Sequence, residues 1–212
     1  MAVTLWGEVY YFSPYVFSAF VGLTEKGVPF ETKLIDVYSA EQHGADYQSK
    51  TLTARVPALE HDGFWLAESS AIIEYVDEAF EGPPLLPKDR QERARARQVM
   101  AWIRSDLSAL REEYATYTMF FERASEPLSG AGRAAADKLV AVADRLLSPG
   151  AKQLFSTWSC ADADLAFCLH RLLLNNYKVP PKVGVYAEHQ WKRPSIRAFV
   201  EHPRPKQGPK PT

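Results

Sequence analysis

The sequence predicts an α/β domain followed by an all-α domain, and three observations support this class. The first eighty residues alternate short strand-like runs with helix-like runs. The stretch "EGPPLLPKDR" at 81–90 then interrupts the pattern with three prolines and a glycine. Beyond it, apolar residues recur every three or four positions, which is the period of an amphipathic helix. We therefore expect domains at 1–80 and 91–202, joined by a linker at 81–90.

Composition excludes several classes of protein. The chain has 212 residues, of which 46% are hydrophobic and 12% aromatic, enough for one large core or two small ones. A disordered or fibrous protein is therefore excluded. The formal net charge of -1 gives no electrostatic reason to expect nucleic acid or a membrane surface as a partner.

Thiols and imidazoles give no sign of a disulfide framework or a metal. Cys160 and Cys168 lie more than two turns apart if their segment is helical, too far for a bridge. The five histidines are scattered without the spacing of metal ligands, so we expect no metal. The sequence shows neither a basic and apolar leader nor an apolar run near the ~20 residues that span a bilayer, which predicts a cytoplasmic protein. The stretch 203–212 repeats Pro and Lys without an apolar anchor and is predicted to be a disordered tail.

The first elements read as strand, helix, strand. "AVTLW" at 2–6 is a short apolar run of strand character. Ser13 suits a helix N-cap, Pro14 the first helical position and Gly27 the residue just past the helix end. "PFETKLIDV" at 29–37 alternates well enough for a second strand.

A loop, a hairpin and a helix follow. "YSAEQHGADYQSKTLTAR" is polar and predicts either a short helix or an open loop. Two strands at 57–60 and 64–66 are joined by Asp62-Gly63, a strong hairpin signal, and a helix at 69–80 is capped by Ser69 or Ser70. Because the crossover-linked strands must be parallel and the hairpin antiparallel, we expect a small mixed sheet with helices on its faces.

The second domain is predicted to be helical throughout. A long amphipathic helix runs from 91 to 117, and its basic start is balanced by acids, which favours a solvated or interface face over a nucleic-acid patch. A second helix covers 130–150, and a third begins with Ser159 and Asp162 in a capping-box arrangement. A last helix covers 195–200.

Three motifs in the first domain carry the functional signal. "FSPYV" places the hydroxyl of Ser13 where a strand leads into a helix, and "ARVPAL" opens a strand with Val56-Pro57. "AESSAII" places Glu68 and Ser69 at the next helix start. In this order, and together with "SCADADLA" further on, they resemble the soluble glutathione transferases, in particular the serine-type bacterial branch. The resemblance covers nearly the whole chain and implies a thioredoxin-like N-terminal domain followed by an all-helical C-terminal domain.

The resemblance implies that glutathione is the co-substrate and assigns a role to each motif. Ser69, at a helix N-terminus, binds the γ-glutamyl carboxylate, and Glu68 lies beside the ammonium. Val56, held by a cis bond to Pro57, pairs through its backbone with the cysteinyl residue of the ligand. Arg55 is favoured for the glycyl carboxylate.

Two alternatives stay open for that glycyl contact. Lys50 and Gln48 lie in the same loop as Arg55. Some branches of the family have a histidine two residues before the valine, where this chain has Ala54, so that contact has no match here.

Ser13 is the predicted catalytic residue. A free thiol titrates near ~8.5, so little of it is thiolate at neutral pH. A hydroxyl that donates to the sulfur, at the positive end of a helix, favours the anion. The alternatives are N-capping alone, or a thiolate held by Tyr10 or Tyr11 as in another branch. A serine forms no mixed disulfide with glutathione, which disfavours thiol-disulfide oxidoreduction.

The second substrate is expected to be a small apolar electrophile or a peroxide. Aromatic side chains from both domains are predicted to line its pocket, although ordinary packing is the alternative for each one. They are Tyr10, Phe12, Tyr15, Tyr114 and Tyr117, with Tyr11, Phe120 and Phe121 as further members of the set. The resemblance also implies a homodimer. A glutathione-dependent isomerase and a non-catalytic binding or scaffold protein remain as alternative functions.

Overall fold

A computed structural model describes residues 2–209 of the chain. It divides into two compact units: residues up to Leu85 together with those from Arg197 onward form the sheet unit, and Leu86–Ile196 form the helical unit. The boundary after Leu85 falls inside the predicted linker. The helical domain was predicted to run to residue 202, whereas the structure groups the residues from Arg197 onward with the sheet unit.

The sheet unit contains the predicted order of strand, helix, strand, hairpin and helix, and the segment predicted as a short helix or an open loop forms a short helix. Its elements are β1 (Val3–Glu8), α1 (Pro14–Lys26), β2 (Glu31–Ile35), a 3-10 turn (Glu41–His43), α2 (Ala45–Lys50), β3 (Ala58–His61), β4 (Phe64–Ala67) and α3 (Ser69–Ala79). The strand order is β2-β1-β3-β4, with β1 parallel to β2 and antiparallel to β3, and β3 antiparallel to β4. The mixed sheet is therefore confirmed.

The two faces of the sheet have different cores. Leu5 of β1 lies opposite Leu59 of β3, and both are fully buried, as is Phe17 of α1. Successive side chains of a strand point to opposite faces. The neighbouring pair, Trp6 and Ala58, accordingly contributes to a second cluster around Tyr47 of α2.

A buried ion pair ties α1 to α3. The Lys26 ammonium lies 3.1 Å from the Asp77 carboxylate, and the two side chains are 4% and 6% exposed. Lys26 also donates to the Asp77 carbonyl at 2.9 Å, and the Asp77 carboxylate accepts the Leu85 N–H at 2.8 Å. The pair therefore fixes the end of α1 and the start of the connection out of the sheet unit.

The helical unit contains six helices and the start of a seventh. They are α4 (Arg90–Asp106), α5 (Ser108–Glu113), α6 (Tyr117–Phe120), α7 (Gly130–Leu146), α8 (Cys160–Leu173), α9 (Pro181–Trp191) and α10 (Pro194–Val200). The boundary between the units falls within α10. Sequence reasoning missed α9.

The prediction of one long helix over 91–117 is wrong. The helix ends at Asp106, because buried Leu107 leaves the helical region at φ -100° and ψ 30°. Arg111 of α5 donates to the Ile103 carbonyl at 2.5 Å, one of the acceptors that a helix end leaves without an intrahelical donor. Apolar residues continue at helical spacing across this break, which is why the periodicity did not reveal it.

The capping box at the start of α8 is confirmed. The Asp162 carboxylate accepts the Ser159 N–H at 2.9 Å, and also bonds from the Leu154 N–H and the Tyr186 hydroxyl. Burial raises the pKa of Asp162, which these hydrogen bonds oppose. Cys160 and Cys168, both in α8, are buried, and neither forms a disulfide, as expected.

The described part of the segment after α10 differs from the predicted disordered tail, because Pro209 is buried and Arg204 is held by hydrogen bonds. The Arg204 guanidinium donates to the carbonyls of Phe199, Val200 and His202 at 2.7–2.9 Å. The prediction of disorder therefore does not hold at Arg204, and its last residues, 210–212, lie outside the described residues. Within residues 2–209, no helix has the length and apolar character needed to cross a membrane.

Candidate functional site

One row of paired residues brings the three motifs to the same end of the sheet. Trp6 of β1 lies opposite Ala58 of β3, and Ala58 lies opposite Ala67 of β4. Just beyond this row, β1 leads into the loop that carries Ser13, β3 is preceded by Val56-Pro57, and β4 is followed by Glu68. Residues far apart in the sequence therefore converge, because β1 and β4 end, and β3 begins, at the same end of the sheet.

Ser13 is the N-cap of α1, as predicted. Its Oγ accepts the Val16 N–H at 3.3 Å, and the residue is half-buried. A hydroxyl that accepts through its oxygen keeps its proton for a bond of its own. Capping and donation to a ligand are therefore compatible roles for the same side chain, at the positive end of a 13-residue helix.

Glu8, the last residue of β1, holds the loop that leads to Ser13. Its carboxylate accepts the N–H groups of Tyr10 and Phe12, each at 2.6 Å, and that of Ser13 at 2.9 Å. Glu8 is only 3% exposed. Sequence reasoning missed this residue, and the only available signal was an acid that ends an apolar strand.

Tyr11 has its ring in the core of the sheet unit. It is 5% exposed, and its ring stacks on His202 with the centroids 3.7 Å apart and contacts Phe199 at 5.2 Å. Its backbone has φ 55°, and its carbonyl accepts hydrogen bonds from Arg204. Tyr11 is therefore a packing residue, which weakens the alternative that it holds a thiolate.

The bond between Val56 and Pro57 is cis, as the resemblance implied. Pro57 is buried, and Val56 packs against the cluster around Tyr47. The ladder between β1 and β3 ends at the pair of Trp6 and Ala58, so the Val56 backbone lies beyond the last paired residue. Such a segment can pair with an extended peptide laid along it.

Glu68 is the N-cap of α3, so the prediction of Ser69 or Ser70 as the cap is wrong. Its side chain makes no capping bond with the described residues, and the residue is exposed with φ 72° and ψ 110°. A positive φ costs a residue with a Cβ about 1–3 kcal/mol and occurs where the surrounding structure enforces it, commonly at functional sites. Ser69, the first helical residue, is 4% exposed.

Of the three candidates for an anionic group, only Arg55 lies in the loop before Val56, whereas Gln48 and Lys50 lie on α2 and not in the same loop as expected. Arg55 is exposed, and its carbonyl accepts the Tyr47 hydroxyl at 2.9 Å. Gln48 is exposed as well. Lys50 pairs with Asp46 at 2.7 Å, and its ammonium lies 5.4 Å from the Trp65 ring. These contacts engage Lys50 within the sheet unit and favour Arg55.

Tyr38 joins two of the predicted aromatic residues beside the Ser13 loop. Its ring lies 5.4 Å from Tyr10 and 6.3 Å from Phe12, and the rings of Tyr10 and Phe12 are 6.2 Å apart. Tyr38 is 49% exposed, whereas Phe12 is 8% exposed. Partial burial, helped by the nearby Glu8 carboxylate, raises the pKa of Tyr38 to about 12, which keeps it a neutral phenol.

The remaining predicted pocket residues have separate surroundings. Tyr15 is half-buried on α1. In the helical unit Tyr114 is buried and its carbonyl accepts a bond from Arg171, while the Tyr117 ring stacks on Phe121 at 5.3 Å. Their participation in a single pocket stays a prediction.

Comparison with known proteins matches both parts of the chain to one family. The sequence model of the glutathione S-transferase N-terminal domain matches residues 9–84, and that of the C-terminal domain matches residues 89–203. A crystal structure of a glutathione transferase homologue from Burkholderia, with bound glutathione, is 42% identical with a TM-score of 0.77 and covers 95% of this chain and 97% of that one.

Two curated relatives match over about two fifths of the chain. A probable glutathione S-transferase from Solanum tuberosum is 40% identical over 86 residues, which is 41% of this chain and 39% of that protein. A maleylacetoacetate isomerase from Dictyostelium discoideum is 37% identical over 92 residues, 42% of each chain. The match thus spans about two fifths of these relatives.

Proposed function

We propose that this chain, which belongs to the glutathione S-transferase family, binds glutathione at the end of its sheet and holds the glutathione thiolate with Ser13. The thiolate then attacks an electrophilic carbon or a peroxide. The observation that carries the proposal is the row of paired residues Trp6, Ala58 and Ala67, which places the three motifs at the same end of the sheet. The Burkholderia homologue, 42% identical over nearly its whole length, contains bound glutathione.

The γ-glutamyl end of the ligand fits the start of α3. The first N–H groups of a helix have no intrahelical acceptor and favour an anion, so the Ser69 hydroxyl and these N–H groups suit a carboxylate. The exposed Glu68 carboxylate, placed beside them by its positive φ, suits the ammonium.

The cysteinyl part fits the Val56 backbone. An extended peptide laid there continues the pattern of the sheet beyond the last pair of β1 and β3. The exposed Arg55, one residue earlier, suits the glycyl carboxylate through its planar guanidinium.

This placement brings the thiol to Ser13. Lowering the thiol pKa by two units requires about 2.7 kcal/mol, which one charge-assisted hydrogen bond and a helix N-terminus can supply. At neutral pH most of the bound thiol would then be thiolate, at the cost of some intrinsic nucleophilicity.

Binding is tested by calorimetry with glutathione on Glu68→Gln and Ser69→Ala. Each removes one polar or charged contact to the ligand, so we expect an affinity about tenfold lower, which corresponds to about 1.4 kcal/mol. Ser70→Ala, one residue further along α3, is the matched control and should bind as the wild type does. If both variants bind glutathione with wild-type affinity, the ligand does not lie at the start of α3.

A second candidate is a glutathione-dependent isomerase, because one of the matched relatives is a maleylacetoacetate isomerase. Both reactions begin with the same thiolate, so they differ in the fate of glutathione. With an activated aryl halide a transferase consumes one glutathione per turnover. With a cis-configured conjugated diketone an isomerase returns it unchanged, so glutathione consumption for the two substrates separates the two functions.

We further propose a homodimer, as the resemblance implied. It is supported by an open, partly apolar groove in the helical unit between α4 and α7, whose lining includes Val99, Trp102, Val142 and Leu146 together with Arg95 and Arg145. A second copy would cover this apolar surface. Light scattering on the eluting protein measures the mass directly.

The finer placement we propose is the serine-type bacterial branch, near the YfcF protein of enteric bacteria that the sequence resembles. It is supported by Ser13 at the helix start and by the identity to the Burkholderia homologue. Both cysteines are buried in α8, so neither is presented for a mixed disulfide with glutathione.

A further inference from the structure

We propose that Glu8 and Arg204 are positioning residues that hold the loop before Ser13, Glu8 through its N–H groups and Arg204 through a carbonyl, and so direct the Ser13 hydroxyl toward the bound thiol. This inference rests on the proposed function, because it concerns how the thiolate is held. Neither residue belongs to the three motifs. The contact between Arg204 and the loop joins residues 193 positions apart.

Glu8 binds the loop through its backbone N–H groups. One carboxylate oxygen accepts from both Phe12 and Ser13, and the other accepts from Tyr10. A carboxylate has only acceptors, so all three donors are satisfied by one buried group. A neutral amide of the same shape would turn an NH₂ group toward at least one of these N–H groups and lose that bond.

Arg204 binds the loop through a backbone carbonyl. Its Nε and Nη2 donate to the Tyr11 carbonyl at 2.9 and 2.6 Å. The same guanidinium donates to three carbonyls at the end of α10, so it joins the loop to this helix end. Burial lowers the pKa of Arg204 to about 10, and the Glu8 charge opposes the shift, so the group is cationic at neutral pH.

The loop needs these hydrogen bonds because its backbone is strained at Tyr11. Tyr11 adopts φ 55°, a conformation that side chains with a Cβ rarely occupy without enforcement. Fixing each residue of a loop costs about 1–2 kcal/mol of conformational entropy. The Ser13 N–H bond to Glu8 and the Val16 N–H bond to Ser13 then set the cap geometry on which the direction of the hydroxyl depends.

The test compares Glu8→Gln and Arg204→Ala with two matched controls. Glu31→Gln changes an exposed acid in the same unit, and Arg197→Ala removes an exposed arginine whose partner is Glu201. The readouts are the pKa of the thiol of enzyme-bound glutathione, kcat and the affinity for glutathione. We expect both positioning variants to raise the bound thiol pKa by about one unit and, because the thiolate fraction falls, to lower kcat by up to about threefold at pH 7. The controls should match the wild type, and affinity should change little.

The Ser13→Ala background separates positioning from general damage. If Glu8 and Arg204 act through the Ser13 hydroxyl, adding Glu8→Gln or Arg204→Ala to Ser13→Ala changes the thiol pKa and kcat no further. A merely structural role predicts an additional loss in both backgrounds.

Three results decide the matter. A lowered thiol pKa in the wild type that persists in folded Glu8→Gln or Arg204→Ala protein overturns the inference, as does a further loss in the Ser13→Ala background. If Glu8→Gln fails to fold, Arg204→Ala carries the test alone. A wild-type bound thiol that titrates like free glutathione contradicts the proposed function instead, so the two failures are distinguishable.

Discussion

At the scale of single residues, the start of α3 combines chemistry with backbone strain. Glu68 is exposed with φ 72°, and its side chain makes no capping hydrogen bond to the residues that the structure describes. Glu68, which we propose offers the ligand a carboxylate, is therefore held in a conformation that favours glycine. Stability and glutathione binding are expected to conflict at this position.

The conflict between stability and glutathione binding at Glu68 can be measured with two substitutions. Both Glu68→Gly and Glu68→Ala remove the carboxylate and weaken glutathione binding, but only glycine relieves the positive φ. We expect the glycine variant to be the more stable of the two by about 1 kcal/mol in denaturant unfolding. Equal stability of the two variants would show that the Glu68 backbone carries no strain.

Sequence patterns identified the motif residues but not the residues that hold them. Ser13, Pro57 and Ser69 stand in short motifs whose order is specific. Glu8 and Arg204 act through contacts with the loop backbone, which no local pattern records, and Arg204 is 193 positions from its acceptor. The helix begins at Ser69 as predicted, but its predicted caps were wrong because the N-cap is Glu68, a residue type that rarely takes a positive φ.

At the scale of elements, α1 and α3 depend on one buried ion pair. Removing one partner of a buried pair leaves a charge without compensation. Asp77→Ala should therefore lower the free energy of unfolding by about 3–5 kcal/mol in denaturant titration.

Asp46→Ala is the control for this prediction. Its partner Lys50 is 38% exposed and Asp46 is 85% exposed, an i,i+4 pair on α2. Solvent screens such a pair, so the change should be below about 0.5 kcal/mol. Similar effects of the two substitutions would mean that burial does not set the strength of the Lys26–Asp77 pair.

Element types followed from local patterns, whereas some element ends did not. The strands, the hairpin at Asp62-Gly63 and α1 with its Ser13 cap have strong local signals. The break after α4 has none, because Leu107 is a buried apolar residue in the expected register and the Arg111 contact that satisfies the helix end is tertiary. The start of α9 at Pro181 was missed, although a proline suits a first helical position.

At the scale of the whole molecule, the chain returns to the sheet unit after the helical unit. Residues from Arg197 onward group with the first 85, and Arg204 binds the loop before Ser13. The two-domain class followed from the linker and the change of period. The sequence did not predict that the last residues return to the sheet unit, because their composition is polar and proline-rich, which is typical of tails.

Two truncations test this return. A chain that ends after Pro205 keeps Arg204 and should keep the wild-type pKa of the bound thiol. A chain that ends after Pro203 loses it and should behave as Arg204→Ala does, with the thiol pKa raised by about one unit. If both truncated proteins titrate alike, the segment acts through something other than Arg204.

Stabilisation of the glutathione thiolate by Ser13 is the central proposal. The measurement is the ultraviolet absorbance of the thiolate of enzyme-bound glutathione against pH, in the wild type and in Ser13→Ala. We predict a bound thiol that titrates about two units below the ~8.5 of a free thiol in the wild type and returns toward that value in the variant. An unshifted thiol in both proteins would reduce Ser13 to a helix cap and contradict the proposed mechanism.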